Sequence, residues 1–418
     1  MKSSRNLLLV EITIAIGVVL ILVAATWGNY RFAVANPGGN DFLVHWVGTR
    51  SLIVDGLSPY SDETAIRIQT MAYGRPAVQG EHEMRVAYPL YSVVFFMPFA
   101  LVPDFTMARA LWMTLLETSL VLLAFLSIRM AQWRPGMLVI GVLVLFSVLW
   151  YHGFRPLING NAVILVALFI VSGILAIRSE ADELAGVLLA FSTIKPQVVV
   201  VFLVYIVIWA IAKRRGRLIV WMVGTIVLLS LSAMLLIPDW ILQNLREVLR
   251  YPGYNPPGTP GTALATWFPA FGVRFGWVIT ALITAILLVE WWITGRGGKR
   301  AFVWAACLTL AASPLIGIQT DPGNFVTLYM PLILVFSVWE ERWKGAGRII
   351  FITTLLGLFF GLWALFLATV SYEGQPIQSP VMFFPAPLVS IVGLYWVRWW
   401  AIRPASVWYD MIYERENR

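Results

Sequence analysis

The stretch "LIVWMVGTIVLLSLSAMLLI", residues 218–237, contains no charged residue in twenty positions. A helix needs about 20 mostly apolar residues to cross the hydrocarbon core of a bilayer. Two other stretches have this length and at most one charge, "NLLLVEITIAIGVVLILVAA" (6–25) and "IIFITTLLGLFFGLWALFLATV" (349–370). The sequence therefore predicts a protein that crosses a membrane several times.

Composition extends this prediction to the whole chain of 418 residues. Hydrophobic residues make up 59% and charged residues only 12%, with a mean hydropathy of +0.79, whereas soluble domains are about 25% charged. Further apolar spans lie near 88–103, 106–128, 137–152, 161–178, 184–212, 276–294, 301–318, 324–339 and 386–402. We therefore predict one all-α polytopic membrane domain, residues 1–418, with about 11 to 13 transmembrane helices.

The positive charge does not indicate a nucleic-acid partner. The formal net charge is +8, but the basic residues cluster at the ends of spans, as in "AKRRGR" (212–217). Lys2 and Arg5 precede the first span, which is longer than the core of a signal peptide and is expected to stay as a helix. Loops rich in Lys and Arg tend to stay on the cytoplasmic side of a membrane, so the N-terminus is expected in the cytoplasm. The protein is expected in the plasma membrane.

This orientation makes the first polar loop, residues 27–87, an outer loop. The segments 238–269 and 371–387 are rich in Pro, Gly and aromatic residues and poor in Lys, which also suits the outer surface. One question about the crossings stays open, which we call the parity problem: whether the chain crosses the membrane an odd or an even number of times between two basic segments. Three spans separate the basic segments 129–134 and 213–217, so either 184–212 is broken at "TIKPQ" or one basic segment lies outside.

The first outer loop carries the stretch "GGNDFLVHWVGTRSLIVDGLSPY" (38–60). Residues 41–55 have helical periodicity, with Asp41 and His45 on a polar stripe and apolar residues on another. This pattern predicts an amphipathic helix that lies on the membrane surface and ends at Gly56. A second short helix is predicted over 62–72.

Asp41 has two interpretations. As an N-cap it would accept hydrogen bonds from the first helical turn, and as a general base it would accept a proton from a substrate. Spacing favours the cap slightly, and Asp55 is expected to be a turn residue. With three His and one Cys, the chain shows no pattern for a metal, a cofactor or an internal disulfide.

Five motifs in order resemble the multi-spanning glycosyltransferases of the GT-C type, and most of all family 87, which includes the polyprenyl-phosphomannose-dependent mannosyltransferase of phosphatidylinositol mannoside synthesis. Asp41 followed by "DGLSPY" (55–60) is similar to the family's Asp and G-x-x-P-Y. "VAYPLYSVVFFMPFALVPDFTMARALW" (86–112) resembles its Y-P-P span and A-R-x-x-W, with Leu90 where the family has the second Pro.

The remaining three motifs lie further along the chain. "NGNAVILVALFIVSGILAIR" (159–178) stands where the family has G-Q-x-N, with Asn159 and Gly160 departing from that pattern. "ELAGVLLAFSTIKPQ" (183–197) resembles A-G…K-P, and "AASPLIGIQTDPGNFVTLYMPLIL" (311–334) resembles S-P…D/H…P. The matches cover most of 38–335 and specify a family better than a substrate.

The resemblance implies a hexosyltransferase that inverts the anomeric carbon at the outer face. Its donor is a polyprenyl-phosphate sugar, with mannose expected, and its acceptor a glycolipid or a glycan. For Asp41, the resemblance favours the general base over the N-cap, so we expect Asp41 to be the general base. Residues expected to bind the donor phosphate or the substrate are His45, Lys195, Tyr60, Tyr88, Asn161, Asp321 and Asn324.

Structural interpretations stay open for two of these residues. Lys195 lies between apolar runs, where a lysine either faces a wet interior or extends to the interface. Asp321 before Pro322 is also typical of a helix start. A secondary transporter or lipid flippase is the alternative function, and a glycosidase ranks third, because Asp41 and Asp55 would lie roughly 21 Å apart on one helix.

Overall fold

The computed structural model describes residues 2–255, 258–372 and 376–403, and it divides the chain into two compact units. Unit 1 comprises the described residues up to Val86, together with Ser92–Thr118 and Leu157–Asn161. Unit 2 comprises Ala87–Tyr91, Ser119–Pro156 and the described residues from Ala162 onward. A single domain over 1–418 stays a prediction.

The structure is 80% helical, so the predicted all-α polytopic class is confirmed. The helices are α1 (Lys2–Ala35), α2 (Asn40–Asp55), α3 (Asp62–Tyr73), α4 (Val93–Ala100), α5 (Phe105–Met130), α6 (Met137–Leu149), α7 (Tyr151–Asn159), α8 (Val163–Arg178), α9 (Asp182–Ser192), α10 (Pro196–Ala212), α11 (Gly216–Leu236), α12 (Trp240–Arg250), α13 (Pro260–Ala265), α14 (Gly272–Gly295), α15 (Lys299–Ala312), α16 (Tyr329–Thr369) and α17 (Pro385–Ala401). Strands β1 (Ser371–Tyr372) and β2 (Pro376–Ile377) form one short antiparallel pair.

Six candidate membrane spans stand out among the described residues by length and composition. They contain α1, α5, α11, α14, α16 and α17, and the pair α6–α7, bent by 49°, makes a seventh if it counts as one span. The span of α16 contains non-helical backbone at Lys344 (φ 48°), so it consists of two helices. The predicted 11 to 13 crossings also count apolar helices of 10–17 residues such as α8 and α10, and that number stays a prediction.

Contacts within unit 2 resolve the parity problem. Arg178, at the end of α8, donates to the carbonyl of Met130 at the end of α5. Arg215, after α10, donates to the carbonyl of Ile177 at 2.8 Å and pairs with Asp182. The basic segments at the ends of α5, α8 and α10 therefore lie on one side of unit 2. Between any two of these segments, the chain makes an even number of crossings.

The apolar stretch 184–212 is consequently not one crossing. It consists of α9, a break at 193–195 and α10, which returns the chain to the side from which it came. The predicted break at "TIKPQ" is confirmed. Gly186 of α9 packs against α11, where an added Cβ would meet the carbonyl oxygen of Leu218 at 2.8 Å, so the outgoing arm of the hairpin packs closely on α11.

Other basic segments of unit 2 join the same side. Lys213 donates to the carbonyl of Gly297 at 2.9 Å, and Trp133 donates to Glu340 at 2.8 Å. Arg300 donates to the carbonyl of Ala401 at 3.2 Å. Such a gathering of positive loops is what the positive-inside rule expects of a cytoplasmic side.

In unit 1, the predicted surface position of the first-loop helix is wrong. Helix α2 has the predicted bounds within one residue and ends at Gly56 (φ 67°), but its residues 42–49 are all buried. It packs against α3 and α4, where Trp46 donates to the carbonyl of Phe99 at 3.1 Å and Arg50 to that of Ala100 at 2.9 Å. The apolar side of α2 therefore rests on protein, because α4 covers it.

The stretch near 88–103 does not form a crossing of its own. Helix α4 has eight residues and is about 12 Å long, well short of the roughly 30 Å core of a bilayer. Arg109 at the start of α5 also touches the carbonyl of Asn36 after α1, at 2.8 Å. Arg109 thus lies on the side of unit 1 where α1 ends.

A helix with a solvent- or lipid-facing apolar stripe does occur, but in the loop 238–269. In α12, Leu242, Leu245 and Leu249 are 67%, 50% and 73% exposed, at helical spacing. Asn244 fixes the opposite face by donating to the carbonyls of Ala87 and Tyr88, both at 3.0 Å. This pattern is typical of a helix that lies in a membrane interface.

Candidate active site

Asp41 lies in the first turn of α2 and is hydrogen-bonded to Asn161. The Nδ2 atom of Asn161 donates to Oδ2 of Asp41 at 2.9 Å, across 120 positions of sequence. The N-cap of α2 is Gly39, which makes no side-chain cap bond, so the cap interpretation of Asp41 is wrong. The positive end of the helix dipole and the amide donor both favour the charged carboxylate.

The start of α2 is fixed by Arg109. Gly39 has φ 80°, and an added Cβ would meet Nε of Arg109 at 2.5 Å. The guanidinium is 4% exposed and also donates to the carbonyls of Asn36 and Ile158, at 2.8 and 3.1 Å. One buried cation therefore joins the end of α1, the start of α2 and the end of α7.

Asn161 is fixed by the turn that precedes it. Gly160 has φ 71°, and a Cβ there would meet that of Phe42 at 2.4 Å. Trp112 donates to the Gly160 carbonyl at 2.8 Å, and its ring stacks on Phe42. The "A-R-x-x-W" motif thus supplies both Arg109 and Trp112, the two side chains that hold the Asp41–Asn161 pair from α5.

The other predicted residues of unit 1, His45 and Tyr60, are buried. His45, one turn after Asp41, is 6% exposed and stacks on Phe96, with ring centroids 4.5 Å apart. Tyr60 is 6% exposed in the turn after α2. Asp55 forms an exposed ion pair with Arg67 at 2.5 Å, in keeping with a structural role.

The segment after α3 is closed by another exposed ion pair. Arg75 donates to both carboxylate oxygens of Glu81, at 2.8 and 2.7 Å, and the backbone N–H of Val78 donates at 2.9 Å. These hydrogen bonds, that of Arg75 first, lower the pKa of Glu81 to about 2. Glu81 is therefore ionised over the whole neutral range, although solvent keeps the contribution of the pair to stability small.

In unit 2, Lys195 lies at the tip of the α9–α10 hairpin. It is the N-cap residue of α10, it is 5% exposed, and its Nζ lies 5.4 Å from the centroid of the Tyr88 ring. A lysine that extended to the interface would be exposed at its end, so this interpretation is wrong. The structure brings the predicted residues Lys195 and Tyr88 together.

The hairpin tip is held by Tyr91. Its hydroxyl lies 3.1 Å from the carbonyl oxygen of Thr193 and 3.0 Å from the Thr193 hydroxyl. Trp240, at the start of α12, packs edge-on against the Tyr91 ring, with centroids 5.8 Å apart. Neither Tyr91 nor Trp240 is among the predicted site residues, although Tyr91 belongs to the quoted "YPLY".

Asp321 and Asn324 begin a 3₁₀ helix, Pro322–Leu328. Asp321 is its N-cap and accepts from the N–H of Gly323 at 2.6 Å, as the structural interpretation predicts. Asn324 is 4% exposed and donates to Oγ1 of Thr320 at 3.1 Å. Its Oδ1 is buried and finds no hydrogen-bond partner in the described part of the chain.

A further polar group lies beside Asp321 in unit 2. Arg155 donates to the Tyr151 hydroxyl at 2.7 Å and to Gln378, and its Nη2 lies 4.0 Å from Oδ2 of Asp321. His152 lies on the same helix, with Nδ1 at 2.8 Å from the carbonyl of Pro322. These residues form a hydrogen-bonded set within unit 2 that ties α7 to the 3₁₀ helix.

The eight predicted site residues thus divide equally. Asp41, His45, Tyr60 and Asn161 belong to unit 1, and Tyr88, Lys195, Asp321 and Asn324 to unit 2. Over the described ranges, no three His, Cys, Asp or Glu side chains gather as a metal site would require.

Comparison with known proteins adds a family. The family model "Glycosyltransferase family 87" matches residues 87–253, which include Tyr88, Asn161 and Lys195 but not Asp41. No curated protein and no solved structure matches the chain significantly. The match supports the resemblance that the sequence motifs indicated: over residues 87–253 the chain is similar to glycosyltransferase family 87.

Proposed function

We propose that this protein is an inverting hexosyltransferase that moves a sugar, mannose in the first instance, from a polyprenyl-phosphate donor to a glycolipid or glycan. The observation that carries the proposal is the Asp41 carboxylate at the start of α2, hydrogen-bonded by Asn161. A carboxylate oriented in this way is suited to accept a proton from an acceptor hydroxyl.

The leaving group, a lipid phosphate, determines which catalytic groups the reaction needs. The acceptor oxygen attacks the anomeric carbon, the bond from that carbon to the phosphate oxygen breaks, and the hydroxyl proton passes to Asp41. Because the phosphate leaves as a stable anion, one base and a cation suffice, without a catalytic acid. Lys195, buried at the positive end of α10, is the proposed cation.

We place this reaction at the outer face of the plasma membrane. Support comes from the basic ends of unit 2, whose shared side would be cytoplasmic by the positive-inside rule. The tip of the α9–α10 hairpin, with Lys195, then points away from the cytoplasm. A lipid-bound donor would present its phosphate at that depth.

The test is the substitution Asp41→Asn, which keeps an oxygen that can accept from Asn161. Loss of the base should lower kcat by about 10²–10⁴-fold, measured as transfer from labelled polyprenyl-phosphate mannose in proteoliposomes. Asp55→Asn, on the same helix, is the matched control and should retain activity, since its partner Arg67 forms only an exposed pair. Full activity of the Asp41 variant would reject the assignment of the base.

A transporter or flippase is the alternative, and the same preparation tests it. Movement of labelled lipid across the proteoliposome membrane without sugar transfer would favour it. The structure does add a second helix break, the 49° bend between α6 and α7, to the one predicted near Lys195. Paired breaks occur in transporters, so both measurements belong in one experiment.

A further inference from the structure

Helix α12 of unit 2 reverses the arrangement of a water-exposed surface helix. Its polar side faces the protein, where Glu247 is buried and Asn244 is half-buried. Its exposed apolar residues, between 45% and 73% exposed, lie on the outer side: Ile241, Leu242, Leu245, Val248 and Leu249. A helix bathed in water carries this pattern the other way round, so the outer side of α12 is suited to an apolar medium.

The preceding helix places α12 at the surface of a membrane. Helix α11 is a candidate span that ends at Leu236, and α12 begins four residues later at Trp240. The indole N–H of Trp240 donates to the carbonyl of Ser230 at 3.2 Å, which lies within about two turns of the end of that span. Because α11 starts directly after Arg215, on the side of the basic ends, α12 lies on the opposite side.

Two arginines determine which kind of lipid surface α12 fits. Arg246 and Arg250 are exposed, one helical turn apart, and they border the apolar stripe along one edge. The acidic residue of α12, Glu247, is buried on the side that faces the protein. An apolar stripe with positive charge at its edge complements a bilayer interface that contains anionic phospholipid headgroups.

Helix α12 is also joined to the proposed phosphate site. Asn244 donates to the carbonyls of Ala87 and Tyr88, both at 3.0 Å. The ring of Tyr88 in turn lies 5.4 Å from Nζ of Lys195. A single residue, Tyr88, therefore links the inner side of α12 to the proposed cation.

A second contact joins α12 to the same hairpin tip. Trp240 packs edge-on against the ring of Tyr91, whose hydroxyl lies 3.1 Å from the carbonyl oxygen of Thr193. Thr193 precedes Lys195 by two residues. The depth of α12 in the interface thus sets the depth of the α9–α10 tip.

We infer that α12 docks on the anionic lipid interface of the membrane and thereby holds Tyr88 and Lys195 at the level of the lipid phosphates. The docking surface is independent of the proposed function, whereas the positioning of Lys195 rests on that function and deepens it. Asn244 is a positioning residue, because it acts on Lys195 through Tyr88. A donor carried in the same membrane presents its phosphate at this level.

Fluorescence quenching by brominated lipids tests the docking surface on the purified full-length protein in nanodiscs. In a Cys307→Ala background, Leu249→Cys carries a fluorophore, and one lipid of an equal mixture of phosphatidylglycerol and phosphatidylcholine is brominated in its acyl chains. The label should lose fluorescence with either brominated lipid, and more with phosphatidylglycerol, because anionic lipid gathers at the two arginines. A label that neither lipid quenches would overturn the docking.

Matched variants isolate the charge. Arg246→Gln should lower the preference for phosphatidylglycerol at position 249 by up to about fivefold, the effect of one Arg near an anionic surface. Arg217→Gln, at the other end of α11 and paired with Glu183, should leave that preference unchanged. A label at Leu228→Cys, 65% exposed in the charge-free part of α11, should be quenched equally by both lipids. Equal quenching at position 249 as well would overturn the anionic character of the surface.

Transfer kinetics in proteoliposomes test the link to Lys195. Asn244→Leu removes both hydrogen bonds to residues 87 and 88, so it should raise the KM for polyprenyl-phosphate mannose by about tenfold and leave the KM for the acceptor unchanged. A merely structural defect would lower the active fraction without this difference. Asn244→Gln, which keeps the amide, should restore part of the donor affinity. Gln243→Leu is the matched control, since the Gln243 amide donates to Asp239 in the same turn, and its donor KM should not change.

If Asn244→Leu does not fold, Asn244→Ser replaces it in the same comparison. An unchanged donor KM in the folded variant would overturn the positioning role. A wild-type protein that transfers no sugar would overturn the proposed function and the positioning role with it, while the quenching result would still decide the docking surface.

Discussion

Asp41 shows how a hydrogen-bonding partner can change the interpretation of a single side chain. By spacing, an Asp near a helix start is a cap, and the helix indeed starts one residue before Asp41. The cap position, however, belongs to Gly39, because Arg109 occupies the space that a side chain there would need. Asp41 is thereby left to bond Asn161, which we take to be a positioning residue for the proposed base.

Asn161→Ala tests this positioning role. The amide stabilises the charged carboxylate, so its loss should let Asp41 take up a proton at higher pH. The acid limb of the pH–rate profile should move to higher pH, whereas kcat on the alkaline side of that limb should change less. An unshifted profile with uniformly lower kcat would instead indicate that Asn161 acts only through the fold.

Among the elements, the turn between α7 and α8 has the tightest geometric requirement in unit 1. Gly160 combines a left-handed φ of 71° with a backbone that lies directly against Phe42. Asn159 and Gly160 depart from the family motif that the sequence resembles, yet Asn161 still reaches Asp41. Trp112 holds this turn in place by donating to the Gly160 carbonyl.

Gly160→Ala should therefore destabilise the protein. A Cβ would strain the left-handed backbone and displace Phe42, at a combined cost of about 1–3 kcal/mol or more, seen as a lower apparent Tm in detergent. Gly141→Ala is the control, because Gly141 lies in α6 with nothing within 4 Å of an added Cβ. Alanine is the better helix former, so this control should not lower Tm; a loss of equal size in both variants would contradict the argument.

For the molecule as a whole, the basic ends of unit 2 define the topology better than a count of spans. The hairpin α9–α10 explains why two basic segments separated by three apolar stretches can lie on one side. The sequence could locate the break at Lys195 but could not show whether the chain turned back there.

Cysteine labelling checks this topology. In a Cys307→Ala background, Arg134→Cys and Arg217→Cys should react with a membrane-impermeant maleimide from the same side, and Arg246→Cys from the other, since only α11 separates 217 from 246. Labelling of positions 134 and 217 from opposite sides would mean that 184–212 crosses the membrane once.

Local properties of the sequence were sufficient for the membrane class, the bounds of α2 and α3, the stop at Gly56, the break at "TIKPQ" and the resemblance to family 87. Composition, periodicity and turn residues act over a few neighbouring positions, so one chain reveals them. The partner of Asp41, the burial of α2 under α4, and the return of the chain in the α9–α10 hairpin all required the folded structure. Each joins residues that are distant in sequence, as Asp41 and Asn161 are by 120 positions, and packing alone brings such residues into contact.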